Sequence, residues 1–229
     1  MNQSGIGQGT VGLAIAHQPV IVEVDSVSLD GYLSVPTAAC GVVLFAHGSG
    51  SSRHSPRNRA VADLLNEGGL ATLLIDLLTE DEQQVDLQTA HLRFNIPLLG
   101  TRLAGITAWL DNQSEVAGLQ IGHFGASTGA AAALVAAAEL PRSVQAVVSR
   151  GGRPDLAGDA LARVEAPTLL IVGGADPVVL DLNRKAMARM HCETRLEIVP
   201  GATHLFEEQG ALGKVARLAR DWFVEKLGR

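Results

Sequence analysis

The chain has 229 residues, 24 acidic side chains against 18 Lys and Arg, a net charge of -6 and 47% hydrophobic residues. That apolar fraction excludes a disordered chain, and the acidic balance argues against nucleic acid as a partner, because phosphates select a basic surface. Aromatic residues at 3% leave little on which bases could stack.

No apolar run approaches the ~20 residues of a membrane span, and the first twenty residues lack the charged start and long apolar stretch of a secretory signal. Cys40 and Cys192 are too few for a disulfide framework and read as apolar thiols in a reducing compartment. A soluble, cytoplasmic protein with no membrane partner is expected.

In chain order, residues 1–18 are Gly-rich and polar and read as a loose N-terminal tail, with residues 19–229 forming one domain. The segment VIVEVDSVSL alternates apolar and polar residues as a half-exposed strand does. Asp30-Gly31 then reads as a hairpin turn into a second strand, YLSVP. Beyond it, short continuous apolar runs recur at 41–46, 70–76, 119–124, 144–149, 167–174 and 195–200. Such runs fit strands buried on both faces of a parallel sheet. Helical patterns lie between them at 58–68, 95–113, 127–140 and 181–190, and a last one covers 213–227. Strand and helix alternate, so the fold class is α/β: a mostly parallel central sheet of about eight strands with helices on both faces.

In open α/β sheets, ligands bind outside the carboxyl ends of the strands. The residues following each apolar run therefore carry the functional expectation. His47-Gly48-Ser49-Gly50 follows the first. Gly125-Ala126-Ser127-Thr128-Gly129 follows the third and opens an Ala-rich helix. Ala175-Asp176-Pro177 follows the fifth, and Gly201-Ala202-Thr203-His204 the last.

The second of these is a G-x-S-x-G between strand and helix. The serine needs a sharp turn that exposes its oxygen, and small residues two before and two after let strand and helix approach. A serine hydroxyl is a weak nucleophile and needs a base within reach, the role that falls to His204. Asp176 would hold the imidazole tautomer and stabilise the imidazolium. It would equally serve as an Asp-Pro turn former. The oxyanion of a tetrahedral intermediate needs donors, for which the N–H of Thr128 and the N–H of Ser49 are the candidates.

These pieces resemble the α/β-hydrolase family, and within it the dienelactone-hydrolase-like branch of small hydrolases. The resemblance runs through "FAHGSGSSRHSPRN", "GHFGASTGAAAAL", "VVSRGGRPDLA", "LLIVGGADPVV" and "PGATHLF", spanning residues 20–229. It implies an α/β-hydrolase fold with Ser127, Asp176 and His204 as catalytic triad and Ser49 and Thr128 at the oxyanion hole. The implied reaction is hydrolysis of a small ester or lactone through an acyl-enzyme, with no cofactor. Dienelactone hydrolase itself uses a cysteine nucleophile where this chain has Ser127, which favours a serine carboxylesterase. Thioesterase, amidase and perhydrolase chemistry share this apparatus, and a non-catalytic scaffold uses the same fold. Only residues 150–166 separate the sixth strand from the acid-bearing one, so no lid domain is expected.

Arg53, Arg57, Arg93, Arg150 and Arg153 fall near the predicted mouth, and one or two of them, with Arg53, Arg93 and Arg150 foremost, are candidates for binding an anionic substrate group through their bidentate forks. The competing expectation pairs the arginines there with Asp76, Asp155 or the acidic loop from Glu80 to Asp86. Seven histidines show no metal-ligand spacing, so no metal is expected. Gly-Gln-Gly-Thr-Val-Gly at 7–12 matches G-x-G-x-x-G but lacks the preceding strand a dinucleotide site requires. A homodimer through an exposed helix or edge strand is compatible with the sequence.

Overall fold

A computed structural model describes residues 17–228. The predicted tail therefore lies outside the described residues except for its last two positions. The first strand already begins at Gln18, one residue inside it.

Among the described residues eight strands form one sheet: β1 (Gln18–Val24), β2 (Val27–Ser34), β3 (Val42–Ala46), β4 (Ala71–Ile75), β5 (Ile121–Ala126), β6 (Val144–Arg150), β7 (Thr168–Gly173) and β8 (Thr194–Val199). Their order is β1-β2-β4-β3-β5-β6-β7-β8. The pairs β1/β2 and β2/β4 are antiparallel, and β3 to β8 with β4 run parallel.

Six helices cover the sheet: α1 (Pro56–Glu67), α2 (Glu80–Thr89), α3 (Ile96–Leu110), α4 (Thr128–Glu139), α5 (Pro177–Met187) and α6 (Ala211–Leu227). The core lies in two layers. Val43, Phe45, Phe124 and Val148 pack with residues of α1 and α6 on one face. Leu44, Leu73, Val147 and the alanines of α4 pack with α3 on the other. Buried strands of this kind read as continuous apolar runs, which is why the pattern was legible.

Three expectations are corrected. The hairpin turns at Asp25-Ser26, where Asp25 takes φ 53, and not at Asp30-Gly31. Gly31 lies inside β2, paired with Val20 on one side and Ile75 on the other. A Cβ there would stand 3.1 Å from the Leu74 carbonyl oxygen and 3.2 Å from Leu73. Glycine permits this close approach between strands and makes no turn.

The second correction concerns the acidic stretch from Glu80, which is helix and not loop. The Thr79 hydroxyl accepts from the Glu82 N–H while the Glu82 carboxylate accepts from the Thr79 N–H, a reciprocal cap. Third, β8 is a half-exposed edge strand with only Val199 buried. Its apolar residues do not mark a strand covered on both faces. Between β6 and β7 lies a tight 3-10 segment, Pro154–Arg163, interrupted at Gly158.

Candidate active site

The turn that carries Ser127 follows from two glycines. Ser127 leaves β5 at φ 51, ψ -120 and starts α4 in the next residue. A non-glycine residue at positive φ is strained and needs its surroundings to hold it. Here a Cβ on Gly125 would sit 2.4 Å from the Ala130 Cα, and one on Gly129 would sit 2.2 Å from the Ala46 carbonyl oxygen. Only glycine lets α4 lie this close to β5 and to the end of β3. The turn is also fastened to the end of β6: the Ser127 N–H donates to the Arg150 carbonyl at 3.1 Å, and the Arg153 N–H donates to the Ser127 carbonyl at 3.0 Å.

His204 arrives on the loop after β8. A Cβ on Gly173 would stand 2.3 Å from the Ala202 carbonyl oxygen, so that glycine lets the loop close down on β7. The Ala175 N–H donates to the same carbonyl at 2.9 Å. Glu208 holds the loop from within, accepting from the Thr203 N–H at 3.0 Å and its hydroxyl at 2.6 Å. The imidazole bridges the other two residues: Nδ1 lies 2.9 Å from Asp176 Oδ2, and Nε2 lies 3.3 Å from Ser127 Oγ. A serine–imidazole distance at the long end is usual before substrate arrives.

Asp176 serves as both the carboxylate and the turn former that the sequence allowed. It caps α5, accepting from the Val179 N–H at 3.4 Å through Oδ1, while Oδ2 faces His204. The three residues predicted from separate strand ends therefore meet in one chain of contacts.

The oxyanion candidates also come together, with a partner the sequence did not reveal. Thr128 opens α4, so its N–H belongs to the first turn and has no intrahelical acceptor. The Ser49 N–H donates to the Thr128 hydroxyl at 2.9 Å. That hydroxyl ties the two loops together across the site. Behind them, His47 is largely buried, its side chain 11% exposed. Its Nε2 accepts from the Leu77 N–H at 3.2 Å and its Nδ1 lies 3.0 Å from the Gly48 carbonyl. Burial pushes the His47 pKa down, against the pull of the Gly48 carbonyl and Asp76. The neutral ring this favours is the form that accepts at Nε2 while donating at Nδ1.

Of the arginines, Arg53 is corrected. Its guanidinium and N–H both engage buried Asp76, and it lies 3.4 Å from Asp30. Arg93 is held by Asp86 through its N–H at 3.0 Å and its Nε at 2.5 Å, although it borders the cavity. Burial alone would raise the Asp86 pKa, but these donors and the Leu92 N–H bring it below the usual carboxylate range. Arg150 is buried, with Nε and Nη1 unpartnered. Arg57, another of the arginines expected near the mouth, reaches the cavity from the start of α1.

A cavity of about 510 Å³ adjoins Ser49 and Thr128. Leu77, Leu78, Leu87 and Leu99 supply its apolar wall, and serines of the 47–55 loop its polar rim. Leu87 comes from α2, which Arg102 fastens through the Glu82 carboxylate and the Leu77 carbonyl. The sequence signal for that helix was Thr79-x-x-Glu82, and for the cavity there was none. Among the described residues no helix is long and apolar enough to cross a membrane.

A mostly parallel eight-stranded sheet with a serine at a strained strand–helix turn, an acid after β7 and a histidine after β8 defines an α/β-hydrolase fold. The model of the dienelactone hydrolase family matches residues 29–224, and the chain belongs to that family. It is 58% identical to a dienelactone hydrolase from Anabaena variabilis, over 93% of this chain and 99% of that one, with a TM-score of 0.91. Est1E from Butyrivibrio proteoclasticus shares the fold at 18% identity and a TM-score of 0.76, over 91% of this chain and 98% of that one. Two curated proteins from strains of Mycobacterium tuberculosis, named provisionally as phosphoribosyl transferases, are 57% identical over 93% of this chain. The chain spans about half the length of these relatives, 47%.

Proposed function

We propose that this chain is a serine hydrolase that cleaves small carboxylic esters or lactones through an acyl-enzyme. The observation that carries this reading is the contact chain Ser127 Oγ, His204 Nε2, His204 Nδ1, Asp176 Oδ2, at 3.3 and 2.9 Å.

In this reading His204 Nε2 takes the Ser127 proton as Oγ bonds to the ester carbonyl carbon. Asp176 holds Nδ1–H and offsets the imidazolium charge. The carbonyl oxygen becomes an oxyanion facing the Thr128 and Ser49 N–H groups at the positive end of α4. The Ser49 donor is engaged by the Thr128 hydroxyl at rest, and it reaches the oxyanion once that hydroxyl turns aside. His204 then protonates the departing alkoxide, the carbon–oxygen bond breaks, and the acyl group stays on Ser127. Water enters, gives its proton to His204 and attacks the acyl carbon. Ser127 leaves as an alkoxide and recovers the proton. Serine at the nucleophile position favours simple esters over a dienelactone as substrate. We read the phosphoribosyl transferase name of the longer relatives as describing the half that this chain does not match.

The test is a panel of 4-nitrophenyl and lactone substrates of increasing acyl length, run on wild-type protein and Ser127→Ala. Loss of at least about 10⁴-fold in kcat/KM with an unchanged thermal unfolding curve is expected. Turnover in the variant near the wild-type rate would refute the assignment.

A further inference from the structure

Arg150 ends β6, the strand beside the nucleophile strand, and pairs in register with Ala126, the residue before Ser127. Its neighbour Ser149 faces α4, with Oγ 1.9 Å from where a Cβ of Gly152 would stand, close to Ala130. Side chains alternate along a strand, so Arg150 faces the opposite layer, where α1 and α6 pack. It is 8% exposed, and its Nε and Nη1 have no hydrogen-bond partner.

Arg53, Arg93 and Arg153 each have a carboxylate, whereas Arg150 has no ion pair among the described residues. An unpaired buried charge is costly, and folds rarely keep one without a use for it.

Arg57 is the neighbouring cation. It stands in the first turn of α1, after the Ser55 cap and Pro56, and borders the same cavity as Ser49 and Thr128. One nitrogen, Nη1, donates to Glu207 at 3.1 Å, a surface carboxylate 64% exposed and so weakly held. Its Nε is buried and unpartnered. Burial, helped by the charge of Arg57, pushes the Arg150 pKa down to about 10. Arg150 therefore stays charged at neutral pH, close enough to Arg57 to feel its charge. The cavity carboxylate Asp86 is already held by Arg93. The positive end of α1 and the rim hydroxyls of Ser49, Ser51, Ser52 and Ser55 complete the surroundings.

We propose that Arg57 and Arg150 form an anion-recognition site that selects ester substrates carrying a phosphoryl group, Arg57 by contact and Arg150 by its uncompensated charge behind it. This deepens the hydrolase reading and rests on it. The group is assigned as phosphoryl because two cations with only a solvated counter-charge match a dianion. Its three terminal oxygens also use the serine donors that a carboxylate's two would leave idle.

The test has two arms. Calorimetry measures binding of inorganic phosphate to the wild-type chain, Arg57→Gln and Arg150→Met at low salt. Kinetics compare three 4-nitrophenyl esters with acyl chains ending in methyl, carboxylate or phosphonate. The phosphonate ester should exceed the methyl ester in kcat/KM by about tenfold or more, less at high salt. Both substitutions should cut that ratio about tenfold and weaken phosphate binding. Equal rates for the three esters, a preference for carboxylate alone, or a ratio unmoved by the substitutions would overturn the proposal. Should Arg150→Met not fold, Arg57→Gln decides alone. If the wild type cleaves none of the esters, the hydrolase reading fails, and phosphate binding still decides whether the anion site exists.

Discussion

Substitution of Gly129 by alanine probes how the fold builds the site. The added Cβ would stand 2.2 Å from the Ala46 carbonyl oxygen and 2.5 Å from that of His47. Relief to an ordinary contact requires about 1.2 Å of movement, and both neighbours are backbone. Either the start of α4 retreats from β3, or the end of β3 retreats from α4. The first displaces the Thr128 N–H, and the second displaces the loop carrying the Ser49 N–H. Overpacking of this kind costs about 1–3 kcal/mol. A displacement near 1 Å in a positioned site costs on the order of 100-fold in rate.

The assay pairs urea unfolding with kcat/KM on a short activated ester. Gly213→Ala is the control, since that position in the first turn of α6 meets only the flexible tip of Arg217 at 3.4 Å. There alanine should stabilise by roughly 0.5 kcal/mol without altering kcat/KM. Wild-type stability and activity in Gly129→Ala would refute the argument that close packing of α4 on β3 sets the site.

Other consequences concern single residues. Asp176→Asn should lower kcat/KM by about 10⁴-fold, because the imidazole loses both its tautomer and its counter-charge. An effect under about tenfold would assign Asp176 to capping α5 alone. Buried His123, beside Thr107 and Ala133, has its pKa pushed down by burial from 6.5 to about 4. Its neutral form is the folded one, so stability should be full above pH 6.5 and fall by about 3 kcal/mol as pH drops to 4. Urea midpoints measured across that range should show the loss, and the slope should flatten in His123→Gln. Arg53→Met leaves Asp76 buried without its cation and should cost about 3 kcal/mol in the same unfolding assay. A cost below 1 kcal/mol would mean that water takes the place of the arginine.

The buried parallel strands were legible because burial on both faces writes continuous apolar runs, and the three catalytic candidates were legible because chemistry follows strand ends. Ser127, Asp176 and His204 needed only strand order to be located. Gly31 misled because Asp-Gly is a turn signal locally, whereas its reason here lies in Leu73 and Leu74 on a strand forty residues away. The helix at Glu80–Thr89 was hidden by its weak amphipathicity, although the Thr79–Glu82 cap was written in the sequence. The sequence left two uses open for the arginines and could not divide them: Arg53 and Arg93 pair with Asp76 and Asp86, carboxylates named as their alternative partners, whereas Arg150 has no ion pair among the described residues. The Thr128 hydroxyl on the Ser49 N–H is likewise a contact between residues 79 apart.

The central claim is that Ser127 is a nucleophile activated by His204. Reaction of the folded protein with a fluorophosphonate, followed by peptide mass mapping, tests it most directly. A single adduct on Ser127 is predicted, formed much more slowly in His204→Ala. An unlabelled Ser127 in folded wild-type protein, or an adduct formed equally fast without His204, would contradict it.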